Sequence, residues 1–328
     1  MKFIDNKGIT NPSLNLALEE YILRNLDPEE TYLLFYINEP SVIIGKNQNT
    51  IEEISSEYIE ANEVHVVRRL SGGGAVYHDL GNLNFSFITK DDGNSFNNFK
   101  KFTLPVIEAL HKLGVNAELS GRNDILVDGR KISGNAQFST NGRMFSHGTL
   151  LFKTEMENVV KALNVKMDKI QSKGIKSVRS RVANISEFLN NEMTVDEFRT
   201  YLLDSIFSES GSIQTQELSE DDWSNVRKLA EDRYGNWDWN YGKSPKSNVQ
   251  INHRFPAGGV DIRLHVEKGV ITDCKIFGDF FGFQDVLEIE NALIGVKFDE
   301  VSSTLNRFDL SKYFGNISNE EFISLLIK

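Results

Sequence analysis

A single cysteine, Cys274, stands in 328 residues, so no internal disulfide can form and a reducing compartment is expected. Metal signatures are missing as well. Neither CxxC nor HExxH occurs, which leaves a structural or catalytic zinc without support. No stretch approaches the roughly 18 successive apolar residues of a membrane span. The opening MKFIDNKGIT lacks a basic segment followed by an apolar one. These absences predict a cytoplasmic chain with no membrane partner. Positive charge is also short: 36 Lys and Arg against 47 Asp and Glu give a formal net charge of -11. Phosphate backbones attract basic surfaces, so nucleic acid is not expected as a partner, and any anionic ligand needs a local site. Internal repeats and low-complexity tracts are absent too.

What is present suits a globular chain with a substantial core, in two domains rather than one, since 40% of the residues are hydrophobic. Asn11-Pro12-Ser13 followed by Leu14, Leu18, Tyr21, Ile22 and Leu26 predicts a helix with one apolar face. Strands are expected over Tyr32 to Ile37, Val42 to Gly45, Val64 to Arg68 and Asn84 to Thr89. A second helix is expected over Phe102 to Leu113, stopped by Gly114. Asp128-Gly129 between Ile125 to Val127 and Lys131 to Ser133 is a tight-hairpin signal. Aromatic anchors at Trp237, Trp239 and Tyr241 give way to a short polar stretch, which places a domain boundary there. Beyond it, runs at Val249 to Phe255, Val260 to Val266 and Val270 to Phe277, then helical spacing near Asp285 to Leu293 and Glu320 to Leu326, predict a small α+β domain. The expected division is 1–243, a linker 244–249, and 250–328.

Two constellations stand out for chemistry. In Arg68-Arg69-Leu70-Ser71-Gly72-Gly73-Gly74, two cations end a strand and a triple glycine follows. Glycines let backbone N–H groups approach an anion, and guanidinium offers paired donors, so the pattern reads as an anion cradle. It matches neither GxxxxGK[ST] nor GxGxxG. In Gly121 to Ala136, a two-residue turn at Asp128-Gly129 sets Leu126 opposite Lys131. Alternation then puts Lys131, Ser133 and Asp124 on one side. A lysine fixed on a strand can neutralise charge growing on a phosphoryl group; a solvated hairpin tip is the plainer reading. His147 is expected at the start of a strand, pointing out of it. Lys173, Lys176, Arg179 and Arg181 form a basic segment suited to phosphates or to a solvated face.

In order, RRLSGGGAVYHDLGNLNFS (68–86), GRNDILVDGRKISGNAQ (121–137), SHGTLL (146–151) and SKGIKSVRSRVANI (172–185) closely resemble the lipoate-protein ligase A family. That family shares a superfamily with biotin protein ligases and octanoyltransferases. The resemblance, which also includes Asn11 to Tyr21 and Pro40 to Asn49, covers nearly the whole chain. It implies an α+β fold: a mixed-sheet catalytic domain of the biotin/lipoate ligase type with a small α+β C-terminal accessory domain.

It further implies synthesis of lipoyl-AMP from lipoate, ATP and magnesium, with release of pyrophosphate. Transfer to a lysine on a lipoyl domain of a 2-oxoacid dehydrogenase (E2) or on the glycine-cleavage H protein would follow. Lys131 matches the family's essential lysine. Arg69, Ser71, Gly72, Gly73, Gly74 and His147 would line the lipoate and adenylate pocket. Val76, Tyr77, Asn82, Asn123 and Lys131 would serve the nucleotide, and Asp124 would contact magnesium. Strands such as Val42 to Gly45 would wall the acyl tunnel. Phe138 departs from relatives that carry arginine there. An octanoyl or lipoyl transferase using a cysteine thioester is disfavoured because Cys274 lies outside every matched motif. Biotin ligases usually show a GRGRxG-like loop where this chain has RRLSGGG. A non-catalytic lipoate-binding protein would be expected to lose Lys131 first.

Overall fold

The computed structural model describes residues 1–164, 181–208, 211–242, 248–297 and 300–326. The linker expected over 244–249 and the basic residues Lys173, Lys176 and Arg179 therefore fall largely or wholly outside the described residues. Two compact units emerge. The first comprises Met1–Ile43, Glu52–Val67 and Val76–Asn240; the second comprises Ile44–Ile51, Arg68–Ala75 and Tyr241–Lys328.

The first unit is built on seven strands: β1 (Lys2–Asp5), β2 (Tyr32–Ile37), β6 (Asn82–Lys90), β7 (Ala117–Ser120), β8 (Asp124–Val127), β9 (Arg130–Thr140) and β10 (Arg143–Leu151), in the order β1-β2-β6-β10-β9-β8-β7. β1 runs parallel to β2 and the other pairs are antiparallel, so the sheet is mixed. A separate three-stranded sheet orders β4 (His65–Arg68), β3 (Ser41–Ile44) and β5 (Val76–His78). Asp128 at φ 49° and Gly129 at φ 73° make the expected two-residue turn, and Asn141 with Gly142 repeats it between β9 and β10.

Cross-strand partners share a face, and the register therefore sorts the side chains. On one face Leu33, Phe35, Leu83, Phe85, Phe87, Ile125 and Val127 join Phe102, Val106 and Leu110 of helix Phe99–Lys112 and Phe198 of helix Val195–Phe207 in one core. That second helix escaped the sequence reading, and the first begins three residues earlier than expected. Its start is Asn98, whose side chain accepts from the amide of Lys101. The opposite face carries helix Pro12–Asn25, capped by Asn11 and opened by Pro12 as its sequence indicated.

In the second unit, β11 (Val249–Phe255), β12 (Gly258–Glu267) and β13 (Val270–Gly278) form an antiparallel sheet. Helices Leu287–Leu293, Val301–Leu305 and Asn319–Leu326 bury Ile289, Leu293, Leu305 and Phe322 in a common core with Ile262, Leu264 and Phe314. Among the described residues, no helix is long and apolar enough to cross a membrane.

Candidate active site

Lys131 is the second residue of β9, one place after the turn's flanking Arg130. Its Nζ lies 2.8 Å from Asp124 Oδ1 across the hairpin. The ladder slips between Ile125 and Leu126, so Leu126 opposes Lys131 while Ile125 opposes Ser133. That bulge breaks the simple alternation. Asp124 and Lys131 share a face as expected, but Ser133 joins Ile125 on the core face and leaves the lysine's side.

The same register extends the Lys131 face across the sheet. Gly134 opposes Asp124, Ala136 opposes His147, and His147 opposes Ser86. Thr149 opposes Asn84, and Leu151 opposes Asn82. Of the sequence-nominated residues, Lys131, Asp124, His147 and Asn82 thus line one face of a single sheet, the face that bears helix Pro12–Asn25. Asn82 is fully buried, and its side-chain amide donates to Asn84 Oδ1 at 3.0 Å.

His147 lies in the middle of β10, not at its start, and its Nδ1 is 2.9 Å from the carboxylate of Glu19. Both side chains are buried. Glu19 comes from helix Pro12–Asn25 and was missed by motif reading, although the pair of acids Glu19-Glu20 inside the otherwise apolar buried run 16–23 was the signal. Buried carboxylates need partners. Glu20 has its own, Arg24, Arg233 and the Tyr234 hydroxyl. Along the same face the rings of Phe138, Phe145 and His147 follow one another, with centroids 5.6 Å and 4.7 Å apart. Phe138 therefore extends an aromatic row.

Asn123 precedes β8 in a loop. Its side chain donates to the Asn135 carbonyl at 2.5 Å, while its own carbonyl accepts from the Asn135 amide at 3.0 Å. Val76 and Tyr77 belong to β5 and pair with Ile43 and Val42 of β3. Burial pushes the Tyr77 phenol up to about 12.

The remaining nominated residues, Arg69, Ser71, Gly72, Gly73 and Gly74, cluster with the second unit. The two arginines of the expected anion cradle are both tied to the chain itself. Arg68 Nη1 donates to the carbonyls of Gly45, Lys46 and Gln48, and Nη2 donates to Thr50 Oγ1 at 2.6 Å. Burial lowers its guanidinium to about 10. Arg68 thus organises the loop 44–51 rather than an anion. Arg69 Nε donates to Ser71 Oγ, and Nη2 donates to the carbonyls of Gly72 and Gly74. It clasps the triple glycine from inside.

Two of those glycines are demanded by space. A Cβ at Gly72 would stand 2.5 Å from the Phe280 carbonyl oxygen; at Gly73, where φ is +92°, it would stand 2.8 Å from the Phe281 ring. At Gly74 it would meet nothing within 4 Å. The loop 44–51 is laced to this one by Arg69 N to Ile44 O and Lys46 N to Ser71 O, both 2.9 Å.

Among the described residues no group of three or more His, Cys, Asp or Glu side chains could hold a metal ion. Asp124 offers a lone carboxylate, and one of its oxygens already meets Lys131. Magnesium keeps several waters and needs only one or two carboxylates beside phosphate oxygens, so a lone Asp124 carboxylate fits an ion that arrives with a nucleotide. Cys274 is buried in β13, where desolvation pushes its thiol up to about 12.

Residues 11–207 match the lipoyl protein ligase A/B catalytic domain, and residues 244–326 match the bacterial lipoate protein ligase C-terminus. Over 330 residues the chain is 62% identical to the lipoate-protein ligase LplJ of Bacillus subtilis (strain 168), covering 99% of this chain and 100% of that protein. Among solved structures it is similar to P. falciparum LipL1 in complex with lipoate, with a TM-score of 0.78, 27% identity and 94% of each chain covered. A bi-partite lipoate protein ligase from Thermoplasma acidophilum, described with its E2 lipoyl domain, gives 0.65 at 32% identity, covering 76% of this chain and 98% of that one. A lipoate-protein ligase A bound with ATP gives 0.63 at 31%, covering 74% and 98%.

Proposed function

The chain belongs to the lipoate-protein ligase family, and on that premise we propose how its residues activate lipoate with ATP and pass the lipoyl group to a lysine of an acceptor protein. A carboxylate is a poor acylating agent. In the first step a lipoate carboxylate oxygen attacks the α-phosphorus of ATP, the bond to the β-phosphate oxygen breaks, and pyrophosphate leaves. In the second, the neutral amine of the acceptor lysine attacks the lipoyl carbonyl, AMP departs with the electron pair, and the amine loses its proton. Desolvation of the docked lysine favours that neutral form.

Lys131 is the catalytic residue of this reading. A strand-borne ammonium beside the reacting carboxylate and α-phosphate neutralises charge as it develops, without reorganising at the moment of reaction. Magnesium, when bound with ATP, screens the phosphate oxygens. Asn82 and Asn123, with Val76 and Tyr77, serve the nucleotide. His147 and Phe145 border the acyl chain, and Arg69 holds Ser71 and Gly72 to Gly74 in the shape that presents backbone amides. The acceptor is a lipoyl domain or the glycine-cleavage H protein, met in the cytoplasm. Residues 1–243 form the catalytic domain and 250–328 the accessory domain, joined through 244–249.

The observation that carries the reading is the convergence of Lys131, Asp124, His147 and Asn82 on one sheet face. Lipoate-dependent pyrophosphate release from MgATP tests it, with lipoyl transfer to a lipoyl domain and to an H protein followed in parallel. Binding of lipoate without pyrophosphate release would defeat it. A thioester route is the rival from within the superfamily, and Cys274 decides between them. A thiol held up to about 12 is not a thiolate at neutral pH, so Cys274→Ala should leave the transfer rate unchanged. A collapse of transfer in that variant would place the chain among the transferases.

A further inference from the structure

We infer that Asp124 and Gly134 are positioning residues for Lys131, a cradle that fixes where its ammonium stands on the sheet face. The inference rests on the lipoate-activating reading above and adds two residues to it. Asp124 and Gly134 are direct cross-strand partners, and Lys131 reaches back over both. A Cβ built on Gly134 would stand 2.9 Å from Lys131 Nζ and 3.1 Å from Cε, so the end of the lysine side chain lies in the space that a side chain at 134 would fill. Gly134 is not among the glycines with positive φ. Its backbone would accept an alanine, and the reason for glycine there is room for the lysine.

The backbone around Lys131 is pinned on its other side. Its carbonyl accepts from the Ala183 amide at 3.0 Å, and it bridges to Val182. At Gly134 the amide donates to Thr149 Oγ1 at 3.2 Å, one pair beyond the end of the β9–β10 ladder at Asn135 and Gly148. With the main chain held at both ends, the ammonium's position depends on the stem alone. Gly134 gives the stem its course, and Asp124 Oδ1, 2.8 Å from Nζ, fixes its end. Lys131 and Asp124 are 37% and 30% exposed, a setting in which an ion pair adds little to stability. The pair's consequence is therefore placement, and Asp124 acts through Lys131 instead of as a dedicated magnesium ligand.

Misplacing a reacting group by 1 Å can cost about 100-fold in rate. The test uses the full-length protein and lipoate-dependent pyrophosphate release across a magnesium titration. Gly134→Ala should lower kcat about 100-fold while KM for lipoate and Tm stay at their wild-type values. Asp124→Asn should lower kcat without moving the magnesium half-saturation. Wild-type kcat in Gly134→Ala, or activity in Asp124→Asn restored by added magnesium, would overturn the inference. If Gly134→Ala failed to fold, Asp124→Asn, a near-isosteric change at a partly exposed position, would decide alone. Absence of pyrophosphate release in the wild type is a separate outcome, which removes the ligase reading and this inference with it.

Discussion

Lys131→Ala is expected to reduce lipoate-dependent pyrophosphate release by about 100- to 1,000-fold, the cost of removing one preorganised electrostatic stabiliser. The same variant should melt at the wild-type temperature. Its ammonium makes a partly exposed pair with Asp124, and such pairs contribute roughly 0 to 1 kcal/mol. Lys131→Met separates charge from bulk, because it keeps most of the stem that lies over Gly134 and removes only the cation. Equal losses in the two variants would assign the effect to the charge. A Met variant that retained near wild-type activity would mean that Lys131 serves as packing, and the catalytic assignment would fall. Lipoyl transfer from pre-formed lipoyl-AMP, measured in both, reports whether the same ammonium also acts as AMP leaves.

Local chemistry made much of this chain legible. Asn11 and Pro12 marked a helix start that the structure keeps, because cap and first-turn preferences act within a few residues. Asp128-Gly129 marked the hairpin that delivers Lys131, since a turn with two positive φ angles admits few residue pairs. Asn141-Gly142 carries the same information and was overlooked. The three strands of the second unit follow their β-branched and aromatic runs closely.

What sequence reading could not supply was tertiary. The bulge that moves Ser133 off the lysine's face depends on the register of β8 against β9, to which no single residue type points. His147 looked solitary because Glu19 lies 128 positions away in sequence. The arginine pair looked available for an anion, whereas Arg68 and Arg69 answer loop carbonyls, the groups that a glycine-rich stretch leaves without partners. Likewise, nothing local indicated that residues 44–51 and 68–75 would cluster with the C-terminal unit. That follows from contacts such as the Gly278 amide on the Asn47 carbonyl and Lys46 Nζ on Asp285, 3.0 Å apart.

The largest expected effect on stability belongs to Gly148. A methyl group there would stand 2.1 Å from Asn135 Oδ1 and 2.6 Å from the Phe85 ring. Phe85 is fully buried between strand neighbours and cannot swing aside. Overpacking of this kind costs about 3 kcal/mol, so Gly148→Ala should lower Tm by roughly 6 to 12 °C. Gly74→Ala, where the added methyl meets nothing within 4 Å, should leave Tm unchanged and serves as the control. The alternative to lost stability is that Asn135 yields. Its side chain holds the carbonyl of Asn123 at 3.0 Å, and freeing it would loosen the loop that precedes Asp124. Relief by that route predicts a near-normal Tm with a raised KM for ATP, on the proposal that Asn123 serves the nucleotide. A thermal melt with ATP-dependent kinetics on the same preparation distinguishes the two. Wild-type values of both would show that β9 and β10 can part at Gly148 without consequence, against the close packing on which this part of the site depends.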